Sequence, residues 1–236
     1  MDDLAKGLDI LEESFAEIPR LHPAVAEVIP VAIRRWRKSL VSRQTWREIG
    51  AFRKRLGAAH YDAVLDTQGL IKSGLVTFCA HGRCYGYAAE VAREPLASWF
   101  YDKTFVIPPN AHAVERNRWL SAAAFDYPVG LPLDYGIATP DLSFPWLIAP
   151  RHAVLLTATS RDDKLWEEDR WIAVARQLIE RGLPPVLPSG SAVERQRAER
   201  IAAGAPGTIV APPLRLRELA AVLGHAELAI GVDTGL

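Results

Sequence analysis

Several things are scarce in this 236-residue chain. It has two cysteines, Cys79 and Cys84, and neither stands in a metal-ligand spacing with nearby histidines. That excludes a disulfide-stapled scaffold and argues against a Cys-based metal centre. The two are expected as reduced thiols of a cytoplasmic protein. No apolar run approaches the roughly 18 residues that span a bilayer, and the opening M-D-D-L-A-K-G-L-D carries no apolar signal core. Formal net charge is zero, so no global field draws nucleic acid or membrane. No G-x-G-x-x-G follows a strand and there is no Walker A loop, which argues against a dinucleotide dehydrogenase and a P-loop NTPase. No repeat or low-complexity tract is present. What remains is ordinary globular composition, 49% hydrophobic and 24% charged, enough for one large domain or two small ones.

The informative stretch is T-A-T-S-R-D-D-K-L-W-E-E-D-R-W (157–171). It follows the apolar run 153–156, which reads as a buried strand. It precedes Ile172–Arg181, where Ile172, Val174, Ala175, Leu178 and Ile179 suit one helix face. The polar residues therefore lie at the carboxyl end of a strand, the edge at which open α/β sheets bind ligands. Thr157, Thr159 and Ser160 supply hydroxyls and Lys164 a mobile cation, a set suited to phosphate. A solvated loop of helix caps and mutually paired charges fits the same composition.

Strand and helix signals alternate beyond this point: 185–187, 192–203, 208–210, 216–223 and 228–232. That rhythm predicts a parallel sheet with helices on both faces. The first half is less regular. Strands are expected at 8–11, at 28–33 (bent or at an edge because of Pro30), at 61–66 and at 83–87. Helices are expected at 72–80 and 112–124. Gly69 suits a tight strand-to-helix turn. Asp66, Gln68 and Lys72 would surround a strand end, as ligand groups or as turn and cap chemistry. Arg93 and Glu94 precede Pro95 and are expected in extended backbone. His112 reads as a structural hydrogen-bonding group at a helix start. The segment 131–150, with Pro132, Pro140, Pro145 and Pro150, reads as a connection between domains spanning 1–138 and 151–236.

Charge is uneven. From Arg34 to Arg55 there are nine basic residues and one acid, Glu48. Trp46, Ile49, Phe52 and Leu56 recur at helical spacing, so a helix with a basic outer face is expected there. Arg34, Arg35 and Arg37 are expected at a strand end, and their planar forks suit anions.

The wording of several segments resembles the lipopolysaccharide heptosyltransferases of glycosyltransferase family 9. They are T-S-R-D-D-K-x-W-x-x-x-x-W (159–171), E-E-S-F-A-E-I-P (12–19), V-I-P-V-A-I-R-R-W-R-K (28–38), Y-D-A-V-L-D-T-Q-G-L-I-K-S (61–73), A-R-E-P-L-A-S (92–98), H-A-V-E-R (112–116) and V-D-T-G-L (232–236). The resemblance runs in order along nearly the whole chain. It implies a GT-B fold, an α/β arrangement of two Rossmann-like domains with parallel sheets. It implies transfer of L-glycero-D-manno-heptose from ADP-heptose to the Kdo of lipid A, with inversion, at the cytoplasmic face of the inner membrane of a Gram-negative bacterium. No metal or other cofactor is implied, and no nucleic-acid partner. Another core heptosyltransferase, or an inactive nucleotide- or lipopolysaccharide-binding fragment, stands as the alternative.

Site residues carried over with the resemblance are Thr159, Ser160 and Lys164 on the diphosphate, with Lys164 stabilising the departing ADP. Glu194 falls to the ribose and Leu214 beside the adenine. Asp233 would take sugar hydroxyls, with the backbone at Thr234 and Gly235 near the phosphates. Arg34, Arg35, Arg37 and Arg93 would face the anionic acceptor. The family opens with a strand and a loop resembling K-x-S-S-x-G-D, whose Asp is the implied general base. This chain has no such segment and stops inside V-D-T-G-L. It is therefore expected to be truncated at both ends and inactive alone, and no residue is named as base.

Overall fold

The computed structural model describes residues 7–130, 132–149, 151–159 and 161–232. Strands β1 (Gly7–Glu12) and β2 (Val25–Val31) pair as a two-stranded sheet. Two compact units follow from the contacts, Ile29–Tyr135 on one side and Met1–Val28 with Gly136–Leu236 on the other.

In the Ile29–Tyr135 unit, the one-turn helix α1 (Ile33–Trp36) and α2 (Arg43–Leu56) precede β3 (His60–Leu65). Then come α3 (Ile71–Thr77), β4 (His81–Tyr87), β5 (Lys103–Phe105) and α4 (Ala113–Phe125). The three strands form a parallel sheet in the order β3-β4-β5. Tyr87, Ile107 and Leu120 are buried together, fixing α4 on it. Strand β5 departs from the sequence reading: it is three residues long and ends at Phe105, where the apolar run 105–107 only begins. Two expectations are corrected. The second strand does not extend to Ile33: β2 ends at Val31, and Trp36 and Arg37 N–H close a helical turn on Ala32 and Ile33 carbonyls. Arg34 and Arg35 thus sit on a helical turn rather than a strand end. Trp46 is not in the buried stripe of α2. It is 60% exposed, while Thr45, Phe52 and Leu56 face inward, so the stripe is rotated by one position at its start.

In the other unit, β6 (Ala153–Leu156), α5 (Glu168–Glu180), β7 (Pro185–Leu187), α6 (Ala192–Gly204), β8 (Ile209–Val210), α7 (Leu216–Gly224) and β9 (Leu228–Gly231) alternate. Every pairing is parallel and the order is β8-β7-β6-β9. The period of two along β6 explains the layers. Ala153 and Leu155 bury against Trp171, Ala175 and Leu178 of α5 and Ala198 and Ile201 of α6. Val154 points the other way, to Val186, Ala211 and Val222 of α7. Both faces are covered, which is why these strands read as unbroken apolar runs.

Candidate functional site

Because the four strands are parallel, their carboxyl ends share one edge. The chain runs from β6 outward to β7 and β8, then returns to the far side of β6 as β9. The strand order therefore reverses between β6 and β9, the switch point at which open α/β sheets bind ligands. The sequence-named donor residues fall on the loops of that edge. Thr157, Ala158 and Thr159 leave β6, with Thr157 2% exposed and Thr159 half-buried. Lys164 ends a 3-10 turn, Asp162–Lys164, its N–H bonded to the Arg161 carbonyl, and its side chain lies at the surface. Beyond β7, Ser191 caps α6 and Glu194 stands in the first turn. Beyond β8, Leu214 packs beside Val154, Val186 and Val222. Ser160, Asp233, Thr234 and Gly235 lie outside the described residues.

Glu194 shows the helix-start chemistry that its position allowed. Its N–H donates to Ser191 Oγ at 3.2 Å, and its own Oε2 accepts the Gly190 N–H at 2.6 Å. This is a capping box shifted by one residue, and it fixes the carboxylate at the strand edge with a second oxygen to offer.

A feature that the residue pattern did not flag is an open cavity of about 310 Å³ just past Lys164, lined by Leu165, Trp166, Glu167, Glu168, Asp169 and Arg197. Arg197 donates to the Trp166 carbonyl and, at 3.5 Å, to Glu168. Arg200 holds Glu168 through two bonds of 2.7 and 3.0 Å, and these keep the Glu168 carboxyl below its ordinary range. The loop bearing Lys164 is thereby tied to α6. The available signal was the basic R-Q-R-A-E-R (195–200) opposite E-E-D (167–169).

In the other unit, Glu48 collects three donors: Trp36 Nε1 at 2.8 Å, Gln44 Nε2 at 3.0 Å and Arg35 at 2.8 Å. With the Trp36 bond as the largest influence, its carboxyl is pulled down to about 2. Trp36 also packs edge-on against Phe52. Arg35 is thus held against α2, while Arg34 and Arg37 are exposed beside it. Arg93 lies on a different loop, next to Gly69, whose φ of +64° makes the expected tight turn. Glu94 is extended before Pro95, as the dipeptide rule requires. Asp66 proves to be turn chemistry. It is 4% exposed and accepts Gln68 N–H at 2.8 Å, Gly69 N–H at 3.3 Å and the Tyr101 hydroxyl at 2.6 Å. Burial first, then that bond to Asp66, pushes the Tyr101 hydroxyl well above its ordinary value. Tyr101 reaches across Gly86, where any Cβ would fall 2.3 Å from its ring. His112 caps α4 through Nδ1, accepting from Val114 N–H at 3.3 Å, the structural role read from sequence. Cys84 is buried, and burial raises its thiol; both cysteines are unpaired. Among the described residues no His, Cys, Asp and Glu group forms a metal site, and no helix is long and apolar enough to cross a membrane.

The α/β fold with parallel sheets is that of the GT-B glycosyltransferases, whose solved structures it matches. More specifically, the chain matches glycosyltransferase family 9 (heptosyltransferase) over residues 49–236 and belongs to that family. It is 45% identical over 229 residues to lipopolysaccharide heptosyltransferase 1 of Escherichia coli K12, covering 96% of this chain and 72% of that protein. The structure of E. coli heptosyltransferase WaaC with ADP-2-deoxy-2-fluoro heptose superposes with a TM-score of 0.88 at 43% identity, over 96% of this chain and 72% of that one. A family 9 glycosyl transferase from Veillonella parvula, 15% identical, shares the fold with a TM-score of 0.69 over 95% of this chain and 66% of its own.

Proposed function

We propose that this chain carries the donor and acceptor determinants of an inverting lipopolysaccharide heptosyltransferase, moving L-glycero-D-manno-heptose from ADP-heptose to the Kdo of lipid A. The carrying observation is that Thr159, Lys164, Glu194 and Leu214 all follow strands at the carboxyl edge of one parallel sheet, with Thr159 and Lys164 on the loop after β6 beside the switch point. In this reading Thr159, Ser160 and the backbone at Thr234 and Gly235 hold the diphosphate. Glu194 accepts ribose hydroxyls, Leu214 borders the adenine and Asp233 takes sugar hydroxyls. The attacking Kdo hydroxyl forms a bond to the anomeric carbon as the bond from that carbon to the phosphate oxygen breaks. The electron pair leaves with ADP, and Lys164 stabilises the charge that grows there. The acceptor's phosphates and carboxylates fall to Arg34, Arg35, Arg37 and Arg93 within residues 1–138, the donor to residues 151–236. The acceptor places the protein at the cytoplasmic face of the inner membrane. The Kdo hydroxyl gives up its proton to a general base as it attacks, a role to which no residue is assigned.

The test uses the full-length protein with ADP-heptose and either Kdo–lipid A or an acceptor already bearing heptose. Transfer to Kdo–lipid A is expected. Transfer only to the heptosylated acceptor would move the assignment to a later core sugar, and ADP binding without transfer to either would make this a binding protein. Lys164→Ala should lower kcat by about 10²–10³-fold while weakening ADP-heptose binding far less, because leaving-group charge is greatest in the transition state. Equal losses would make Lys164 a ground-state anchor only.

A further inference from the structure

The turn between α1 and α2 carries a feature that sugar transfer does not require. Val41 is fully exposed and Leu40 is 54% exposed, directly beside Trp46 at 60%. Exposed valine and leucine at a turn are usually mobile, but this turn is fixed. Lys38 and Ser39 N–H bond to the Arg35 and Trp36 carbonyls, and Ser42 N–H bonds to Ser39 at 3.0 Å. Ser42 Oγ caps α2 by accepting Gln44 N–H at 3.2 Å. The indole of Trp46 donates to the Leu40 carbonyl at 2.8 Å, which clamps the ring against the tip. The apolar side chains are thus held outward on a rigid support anchored through Trp36, Phe52 and Glu48.

Charge around the tip has one sign. From Arg37 to Arg47 the chain contains Arg37, Lys38, Arg43 and Arg47 and no acid, and all four are exposed. Arg43, Trp46 and Arg47 share one side of α2 by their spacing. Glu48, the nearest acid in sequence, is turned to Arg35, Trp36 and Gln44. An apolar point with an indole at its base and a collar of cations matches the anatomy of a bilayer surface. Hydrocarbon takes the aliphatic tip, the interfacial zone takes tryptophan, and anionic headgroups take arginine and lysine. A second protein would require acids opposite the collar, and a second copy of this turn would repel it.

We infer that the Leu40–Val41 tip, with Trp46 and the flanking Arg37, Lys38, Arg43 and Arg47, inserts into an anionic lipid surface and holds the protein there. The inference rests on the membrane-borne acceptor proposed above, and deepens it by naming the element that touches lipid itself. The test is co-flotation with phosphatidylethanolamine vesicles, with and without phosphatidylglycerol. No donor, Kdo or lipid A is present, so the result is independent of any transfer assay. Binding is expected only with phosphatidylglycerol, and it should fall as salt rises. Val41→Asp should weaken it by at least about tenfold. Arg43→Gln with Arg47→Gln should weaken it by about 25-fold, fivefold for each cation. Val41→Trp should strengthen it. All three positions are solvent-exposed, and circular dichroism checks the fold of each variant. Val41→Asp or the double Arg variant floating like the parent overturns the inference. So does a parent that binds neutral vesicles equally well, or a Val41→Asp variant that loses self-association while still binding vesicles.

Discussion

Glu194 offers the sharpest separation of a ligand role from a structural one. Its Oε2 accepts Gly190 N–H at 2.6 Å, and its backbone depends on the Ser191 cap at 3.2 Å. Removing a cap costs about 0.5–2 kcal/mol. A hydrogen bond from a ribose hydroxyl to a charged acceptor contributes about 1.5–3 kcal/mol, or about 10- to 150-fold in Kd. Glu194→Gln keeps an oxygen for Gly190 but loses the charge that the ribose would meet. It should lower Tm by less than about 2 °C, at about 2–4 °C per kcal/mol, while weakening ADP binding by tenfold or more. Ser191→Ala should do the reverse, lowering Tm by a few degrees and leaving Kd nearly unchanged. Titration calorimetry with ADP, beside thermal melts of both variants, reads the two effects separately. If Glu194→Gln binds ADP as the parent does, or if Kd follows Tm across both variants, the carboxylate is a helix cap and the ribose assignment fails.

Replacing Arg34, Arg35 and Arg37 by Gln should raise the apparent KM for the lipid acceptor and leave that for ADP-heptose unchanged, an effect that fades at high salt; a shift in donor KM instead would show the cluster assigned to the wrong substrate. Glu48, held at about 2 against an ordinary 4.5, has a depressed folded value, so its contribution to stability is present above about pH 4.5 and lost as pH falls toward 2; acid melts of Glu48→Gln should be flatter across that window, and an unchanged slope would remove Glu48 as the cause. Asp66→Ala leaves the half-buried Tyr101 hydroxyl and the Gln68 and Gly69 N–H groups without their acceptor, and should cost at least about 2 kcal/mol in denaturant unfolding; a loss below about 0.5 kcal/mol would mean that water replaces the carboxylate.

Legibility in the sequence followed burial. Strands 153–156 and 185–187 were readable to the residue because both faces are covered, leaving unbroken apolar runs bounded by polar or proline residues. Helices 192–204 and 216–224 were readable to within a residue, and 168–180 at its carboxyl end, because their apolar periods match real cores. Strand β5 was hidden by its length: Thr and Phe suit a sheet, but three residues are too few to show a period. Its register against Tyr85, Gly86 and Tyr87 is supplied by its neighbour. Trp46 misled because a large aromatic at helical spacing is normally core. Its polar N–H found the Leu40 carbonyl at the rim instead. The turn at 33–36 was misread because Ile33 continues an apolar run. Only the partnership of Trp36 with Glu48 and Phe52, twelve and sixteen residues away, makes the helical turn worthwhile.

The candidate site was legible for a different reason. At the carboxyl edge of a parallel sheet, every strand hands over to a loop and a helix start. Helix starts expose N–H groups that need acceptors and favour negative charge. A protein satisfies them with Ser, Thr, Asp and Glu, the same residue types that hold the hydroxyls and phosphates of a nucleotide sugar. Ser191 and Glu194 illustrate the overlap, since one pair of side chains caps α6 and leaves a carboxylate at the carboxyl edge of the sheet. Composition alone therefore could not divide capping from binding at Thr159 or Glu194. Position did more: β6 lies at the point where the strand order turns, and a cap placed there also borders the crevice that the reversal opens. Lys164 is of a different type: lysine is not among the side chains that cap helix N-termini, and it ends the 3-10 turn Asp162–Lys164 ahead of α5. The proposed transfer gives that cation a role, because negative charge on a departing diphosphate grows at the same edge, and the Lys164→Ala split between kcat and donor binding decides whether it has one.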